Sequence, residues 1–293
     1  MSDVLSSMTQ SLNALAASEV FPVMAALLGL IVGSLLNTVI YRLPRMLERE
    51  WREQCAELEG RQITSARYDL IAPRSHCPTC KTSIRMRYLV PVIGWMVLRG
   101  RCAECGTSIS WRYLVIEIGT AVAFALVALK FGASIEAWAA LLVTAFLIPL
   151  AAIDYDTHYL PDQLTLPLLW IGLAASLTSD VRTAVIGAIA GYLSLWLIYR
   201  LFKIITGKEG IGQGDLKLFA ALGAWLGPMA LIPIILMASI TGAVVGLALV
   251  FFFSRSREQP LAFGPFLAIA GWLVMLLGEG VAGRVIIKDW AGY

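Results

Sequence analysis

Charged residues are scarce in this sequence of 293 residues, because Asp, Glu, Lys and Arg together make up only 15% of it. Soluble domains carry roughly a quarter of their residues as charged side chains, so the composition excludes an ordinary soluble domain. Hydrophobic residues make up 58%, and the mean hydropathy is +0.76. Eight membrane helices of about 20 residues would use roughly 160 residues, close to the apolar content, so the sequence predicts an integral membrane protein.

Other features that are missing narrow the possibilities further. No G-x-G-x-x-G segment follows a predicted strand, which excludes a Rossmann nucleotide-binding unit. The first 19 residues contain no Lys or Arg, and basic residues begin at Arg42, after the first apolar run. This order is the reverse of a cleavable signal peptide, so we expect the N-terminus to be retained and to face the periplasm. Because 13 of the 23 basic residues lie between Arg42 and Arg112, the net charge of +3 does not predict nucleic-acid binding.

Eight apolar segments predict membrane-spanning helices. They lie at residues 20–42, 113–131, 137–153, 164–178, 184–204, 215–227, 229–253 and 265–281. Alternating the loops from a periplasmic N-terminus places 19 of the 23 basic residues on the cytoplasmic side, as the positive-inside rule requires, and leaves Lys130, Arg182, Arg284 and Lys288 outside. We therefore predict an all-α polytopic membrane protein of about eight helices. Its parts are a first segment (1–42), a cytoplasmic loop domain (43–112) and a membrane core (113–293).

Four cysteines in the cytoplasmic loop form two C-x-x-C pairs, at Cys77 and Cys80 and at Cys102 and Cys105. Two such knuckles at this separation are typical of a tetrahedral zinc site, because each knuckle turns two thiolates toward one point. A disulfide is the alternative that a reducing cytoplasm disfavours, and a redox-active C-x-x-C would need a thioredoxin-like context. Sulfur would fill all four positions, so we expect a closed, structural zinc site.

An apolar run lies between the two knuckles, from Tyr88 to Leu98, and is too short to span a membrane. Arginines flank it on both sides, at positions 85, 87, 99 and 101. We expect this run to lie on the membrane surface, with its arginines near lipid phosphates, or to pack on the helix bundle.

Two acidic clusters follow at predicted span ends, where ionisable residues carry a functional hypothesis. The first contains Asp154, Asp156, His158 and Asp162, and the second reads Gly212-Gln-Gly214-Asp215-Leu-Lys217. Two predicted crossings separate the clusters, so both face the cytoplasm. Two carboxylates that meet in a partly dry site can share one proton and act as base and acid on a peptide bond. Alternatively, these acids only cap helices and solvate loops, and for Asp162 we expect capping.

The order of several motifs resembles the type IV prepilin peptidases of bacteria. These motifs are Gly33-Ser-Leu-Leu-Asn37 with Arg42, the paired knuckles, Arg112-Tyr113 with Glu117, Asp154 with Leu160-Pro161-Asp162, the Gly212–Lys217 segment, and Phe263-Gly-Pro-Phe. The resemblance implies an aspartic endopeptidase of the Gly-x-Gly-Asp membrane class in the bacterial inner membrane. It would cleave the leaders of prepilins and pseudopilins after a Gly.

The resemblance also implies roles for individual residues. Asp154 and Asp215 become the catalytic pair, with Gly212, Gly214, Lys217 and Asp162 in the surrounding loops. It further implies methylation of the new N-terminal residue by S-adenosylmethionine, with Asn37, Arg42 and Glu117 as candidate residues of that site. Taken alone, these three are only polar groups near span ends, which we would interpret as packing and interfacial anchors.

Two other classes of function fit the composition. A transporter could use the acids to relay protons or to bind cations. A scaffold without enzymatic activity could use the zinc module to bind partners. The gathering of the acids at the predicted cytoplasmic edge favours the peptidase over the transporter.

Overall fold

The computed structural model describes residues 2–61, 67–207, 210, 212–253 and 261–278, with side chains from residue 19 onward. Within these ranges the chain is helical and carries only isolated β-bridges. The helices are α1 (Ser2–Leu58), α2 (Ile93–Val97), α3 (Arg112–Phe131), α4 (Ile135–Thr157), α5 (Asp162–Ala175), α6 (Val181–Thr206), α7 (Gln213–Leu226), α8 (Pro228–Phe253) and α9 (Gly264–Leu277). Helices satisfy every backbone hydrogen bond internally, which a lipid environment demands. The chain divides into two compact units, Met1–Ala145 and Phe146–Tyr293.

The first unit is organised by the contact of α1 with α3. Gly29 and Gly33 lie one turn apart on α1 and face the α3 backbone. A Cβ atom on Gly29 would lie 2.7 Å from the Cα atom of Ala121, and one on Gly33 would lie 2.8 Å from the Cα atom of Glu117. Small residues at this spacing let two membrane helices approach closely. The approach fixes the position of Glu117 relative to α1.

Helix α7 lies at the centre of the second unit, where it packs against α5, α6, α8 and α9. The close contact with α6 occurs at Gly187 and Gly223, since a Cβ atom on either residue would lie 2.1 Å from the carbonyl oxygen of the other. On another face, Trp225 donates a hydrogen bond of 2.8 Å to the carbonyl of Leu168 in α5. These contacts fix the position of α7 within the second unit. They therefore also fix the position of Asp215, which lies in the first turn of α7.

The prediction of an all-helical membrane protein is confirmed, and each of the eight predicted segments coincides with a helix over most of its described length. Five helices are long and apolar enough to cross a membrane, at Glu19–Leu58, Arg112–Phe131, Ile135–Thr157, Val181–Thr206 and Pro228–Phe252. The other three, α5, α7 and α9, have only 14 residues each. Their length of about 21 Å is less than the hydrocarbon thickness of about 30 Å.

A local break accounts for the short length of α7. Gly227 takes a positive φ of 79° and ends α7, and Pro228 begins α8 directly afterwards. Apolar composition continues through such a break, so counting apolar residues does not reveal it. Residues 279–281 of the last predicted span, with Arg284 and Lys288, lie outside the described residues.

Candidate active site

Asp154 and Asp215 are the two buried acids of the second unit among its described residues, with exposed fractions of 5% and 6%. Asp154 lies in the last turn of α4, and Asp215 is the third residue of α7. Their carboxylates are close enough to interact electrostatically. The structure therefore brings together the two acids that we predicted from the sequence to be the catalytic pair, although about 60 residues separate them along the chain.

The carboxylate of Asp154 is held by the backbone of a third segment. Its Oδ2 atom accepts a hydrogen bond of 2.9 Å from the N–H group of Gly264, the first residue of α9. The N-terminus of a helix favours a carboxylate, because its free N–H groups and its dipole point toward the anion. Gly264 thus orients the acid and supplies a hydrogen bond to it.

The surroundings of Asp215 differ from those of Asp154. Its backbone N–H group donates a 3.2 Å hydrogen bond to the carbonyl of Gly212, which caps α7. Its Oδ1 atom is buried and accepts no hydrogen bond from the part of the chain that the structure describes. A buried carboxylate oxygen without a donor is costly, so this atom is a natural position for a proton or for a hydrogen bond to a substrate.

Asp162 is paired with a lysine of α7, and the expectation that it caps a helix is wrong. The N-cap position of α5 is Pro161, and Asp162 is the first helical residue. Its two carboxylate oxygens lie 2.6 Å and 2.7 Å from Nζ of Lys217. The ion pair joins the first residue of α5 to the fifth residue of α7, which lies two residues after Asp215. Asp156 is exposed near the end of α4.

In the first unit, the four cysteine sulfurs form a cluster in which all lie within 4.8 Å of one another. The Sγ atoms of Cys77 and Cys105 are 3.7 Å apart, and those of Cys80 and Cys102 are 4.0 Å apart. A tetrahedron with zinc–sulfur bonds of about 2.3 Å has edges of about 3.8 Å. The cluster therefore fits a four-coordinate metal ion.

Neighbouring hydrogen-bond donors favour the thiolate form of two of the four cysteines, Cys77 and Cys105. The N–H groups of Cys80 and Thr79 point at the sulfur of Cys77 and lower the pKa of that thiol. The side chain and the N–H group of Thr107 lower the pKa of Cys105 to about 6. Thiolates are the form of cysteine that binds metal.

Asn37 of α1 and Glu117 of α3 are both buried in the first unit. Asn37 donates a 3.0 Å hydrogen bond to the carbonyl of Tyr113. Glu117 accepts a 2.7 Å hydrogen bond from the N–H group of Val92, whose φ is +62°. That conformation is strained for a β-branched residue and needs support from its surroundings. Glu117 thus holds the apolar run between the knuckles against α3.

Arg42 is buried and also serves the backbone of the loop domain. Its guanidinium group donates hydrogen bonds to the carbonyl of Asp69, at 2.9 Å, and to that of Pro73, at 2.6 Å. The Asp69 carboxylate in turn accepts hydrogen bonds from the N–H groups of Ala72 and Ile71, and from Arg67. The N–H group of Ala72, followed by Arg67, lowers the pKa of Asp69 to about 2. Arg42 therefore fixes the loop that leads into the first knuckle.

Comparison with known proteins assigns the family. The model of the "Bacterial Peptidase A24 N-terminal domain" matches residues 27–131, and that of the "Type IV leader peptidase family" matches residues 141–247. A protein of Pseudomonas putida named "Prepilin leader peptidase/N-methyltransferase" is 45% identical over 89% of this chain and 92% of its own length. The chain belongs to the prepilin leader peptidase/N-methyltransferase family.

Two further members of this family show similar likeness. Proteins of the same name from Burkholderia pseudomallei (strain 1026b) and Neisseria gonorrhoeae are 48% and 46% identical, over 87% and 88% of this chain and 84% and 91% of their own lengths. No solved structure matches the chain. None of these relatives carries the name of a transporter or a scaffold.

Three features of this family member were not identified as functional from the sequence. Gly264 donates a hydrogen bond to Asp154, but the sequence identified this glycine only as part of the Phe263-Gly-Pro-Phe motif. Leu160 packs between Gly264 and Gly214, the residue that precedes Asp215. The knuckles are also an internal repeat: Cys77 to Ile84 and Cys102 to Ile109 agree at five of eight positions, 25 residues apart. That repeat could have been found by aligning the sequence with itself.

Proposed function

We propose that the chain is a membrane aspartic endopeptidase that removes the leader from prepilins and pseudopilins, and that it methylates the new N-terminal residue. One observation carries the peptidase proposal. Asp154 and Asp215, from distant segments, are both buried, lie close enough to interact electrostatically and have different surroundings. The printed names of the relatives support both activities.

The surroundings of the two acids suit two roles. Asp154 accepts a charge-assisted hydrogen bond from Gly264, which fits an ionised base. Asp215 has a buried oxygen without a donor in the described chain, which fits a protonated acid. Asp154 would take a proton from water while the water oxygen bonds to the peptide carbon, and Asp215 would give its proton to the carbonyl oxygen. Asp154 would then give its proton to the amide nitrogen as the C–N bond breaks, and a hydroxyl group of the tetrahedral intermediate would return a proton to Asp215 as the new carboxyl group forms. One water is consumed for each bond cleaved.

The position of the acids suits the substrate class. A prepilin has a short basic leader followed by a long apolar helix, which can sit in the bilayer while the leader stays in the cytoplasm. The scissile bond then lies at the membrane surface, where the ends of α4 and α7 carry the acids. A Gly before that bond permits an extended backbone and close approach to the acids. We assign Gly212, Gly214, Lys217 and Asp162 to the loops that support this approach.

We assign the methyltransferase site to the polar cluster of the first unit. Glu117 is its one buried acid among the described residues, and a buried carboxylate complements the cationic methyl donor, S-adenosylmethionine. Glu117 and Asn37 would hold this donor, which supplies the methyl group, and Arg42 would keep the adjoining loop in place. The amine of the new N-terminus must lose a proton to accept a methyl group, and Glu117 is the residue suited to hold that proton.

We propose that the cysteine cluster binds one zinc ion, held as thiolates by Cys77, Cys80, Cys102 and Cys105. The sulfur spacing and the amide groups around Cys77 and Cys105 support this assignment. With four sulfur ligands the ion would be structural and would offer no open position to a substrate. Its contribution would be to fold the loop domain.

We also propose that the apolar run between the knuckles lies in the lipid interface. Ile93, Met96 and Val97 of the run expose between 58% and 65% of their surface, and Met86, just before the run, exposes 80%. Val92 is bound to Glu117, five residues inside α3, which is about 7.5 Å along that helix. The run therefore lies alongside α3, deeper in the membrane than the first residue of that helix. At this depth its exposed apolar side chains would contact lipid chains, and the flanking arginines would contact lipid phosphates.

The proposed topology follows from these assignments. The chain would cross the bacterial inner membrane several times, with a periplasmic N-terminus. The loop domain (43–112) and the two catalytic aspartates would face the cytoplasm. The first segment (1–42) and the loop domain, together with Glu117 of α3, would serve methylation, and the rest of the core (113–293) would serve cleavage.

The test is incubation of the purified protein with a prepilin, followed by mass spectrometry of the product. We expect a shortened pilin that begins directly after the leader Gly and that gains one methyl group when S-adenosylmethionine is added. Solute flux without a shortened product would support a transporter, and binding without a shortened product would support a scaffold. Either result would contradict the proposed function.

A further inference from the structure

The backbone at the start of α9 lies directly against the carboxylate of Asp154. Gly264 is buried, and a Cβ atom placed on it would lie 2.7 Å from Oδ2 and 3.0 Å from Cγ of Asp154. The first of these distances is closer than real Cβ atoms come to any heavy atom, so even an alanine would displace the carboxylate or the helix. The same residue donates its N–H group to that oxygen. The hydrogen bond and the lack of a side chain are therefore both required for the observed geometry.

Leu160 connects this contact to the other aspartate. Its side chain is 3% exposed and lies in the loop between α4 and α5. Its Cδ1 atom lies 3.2 Å from the position of a Cβ atom on Gly264, and its Cβ atom lies 2.6 Å from the equivalent position on Gly214. Gly214 directly precedes Asp215 in α7. One buried side chain thus packs against the backbone next to Asp215 and against the backbone that binds Asp154.

We propose that Leu160 and Gly264 are positioning residues for cleavage, with Leu160 acting as a spacer that sets the distance between Asp215 and Asp154. This inference rests on the proposed peptidase function. Leu160 acts through the two glycines, and Gly264 acts through its hydrogen bond to Asp154. Neither carries a group that reacts with the peptide.

A positioning role predicts a particular kinetic change. A misplacement of about 1 Å at a catalytic group can lower a rate about 100-fold. Prepilin binding depends on contacts along its leader and helix, which these two residues do not supply. We therefore expect Gly264→Ala to lower kcat about 100-fold while KM and the binding of a non-cleavable prepilin stay unchanged.

The matched control is Gly242→Ala in α8, where a Cβ atom would meet Phe266 at an ordinary distance of 3.5 Å. This control is expected to cleave at the wild-type rate. Methylation of a leader-free pilin reports on the integrity of both variants. If the wild type fails to cleave prepilin, the proposed function fails; if the wild type and Gly264→Ala cleave equally well, only the positioning inference fails.

A double variant separates displacement of Asp154 from simple crowding against Leu160. In Gly264→Ala/Leu160→Ala the leucine no longer crowds the new methyl group, but the contact with Asp154 remains. We expect no recovery of cleavage, and recovery to the wild-type rate would overturn the inference. If Gly264→Ala does not accumulate as a folded protein, Leu160→Ala alone is the test. It should lower kcat at least about tenfold at unchanged KM, and an unchanged kcat would overturn the spacer role.

Discussion

Substitution of single aspartates tests the proposed dyad most directly, because Asp154 and Asp215 are buried whereas Asp162 forms a partly exposed ion pair. Asp154→Asn and Asp215→Asn each remove a proton-transfer partner, and general acid–base catalysis contributes about 10²- to 10⁴-fold. We expect each substitution to lower the rate of prepilin cleavage at least about 100-fold. The double variant should lose little more, since groups that act as a unit are not additive.

Asp162→Asn is the informative comparison within the first loop. Both oxygens of its carboxylate are bound by Lys217, so this acid belongs to a partly exposed ion pair and not to the buried pair of acids. The two side chains are 43% and 30% exposed, so solvent screening limits the contribution of the pair to at most about 1 kcal/mol of stability. Cleavage should stay within a few-fold of the wild type.

The assay is the initial rate of prepilin cleavage at matched levels of folded protein, with the exposed Asp156→Asn as the control that should cleave normally. Substantial turnover by Asp154→Asn, together with loss of turnover in Asp162→Asn, would refute the choice of Asp154. The catalytic role would then move to Asp162.

Three more predictions concern the first unit. The purified protein should contain about one equivalent of zinc, and Cys102→Ser should lower zinc content and melting temperature before it lowers cleavage. Cys55→Ser, outside the cluster, should leave both unchanged, and a metal-free wild type that is folded and active would contradict the zinc assignment. Glu117→Ala should abolish transfer of a labelled methyl group while leader removal continues, and Glu117→Gln, which keeps an acceptor for Val92, tests whether the charge is needed. Loss of both activities in a folded Glu117 variant would contradict two separate sites. In bilayers with anionic lipid, Met96→Glu should speed amide hydrogen exchange of residues 86–98. The same substitution at the exposed Ile71 should not change exchange in these residues. Unchanged exchange in Met96→Glu would argue against lipid contact.

The sequence predicts composition-driven features well and three-dimensional contacts poorly. The helical class, the two knuckles and the importance of the acids follow from apolar runs, cysteine spacing and charges at span ends. The pairing of Asp162 with Lys217 could not be predicted, because the capping rule uses only neighbouring residues and Lys217 is 55 residues away. Nor could the contact of Gly264 with Asp154, 110 residues apart, because a backbone N–H group leaves no signature in side-chain chemistry.

Close glycine contacts occur next to Glu117, next to Asp154 and along α7, which carries Asp215, and the membrane environment gives a physical reason. Between helices in lipid there is little hydrophobic driving force, so close van der Waals packing and hydrogen bonds decide how helices associate. Gly33 brings α1 onto Glu117, Gly223 brings α7 onto α6, and Gly264 brings α9 onto Asp154. Each is a point where a single methyl group would meet a backbone atom or a carboxylate. The proposed chemistry therefore depends on residues that carry no chemistry of their own, and alanine substitutions at these glycines should be as informative about function as substitutions of the acids.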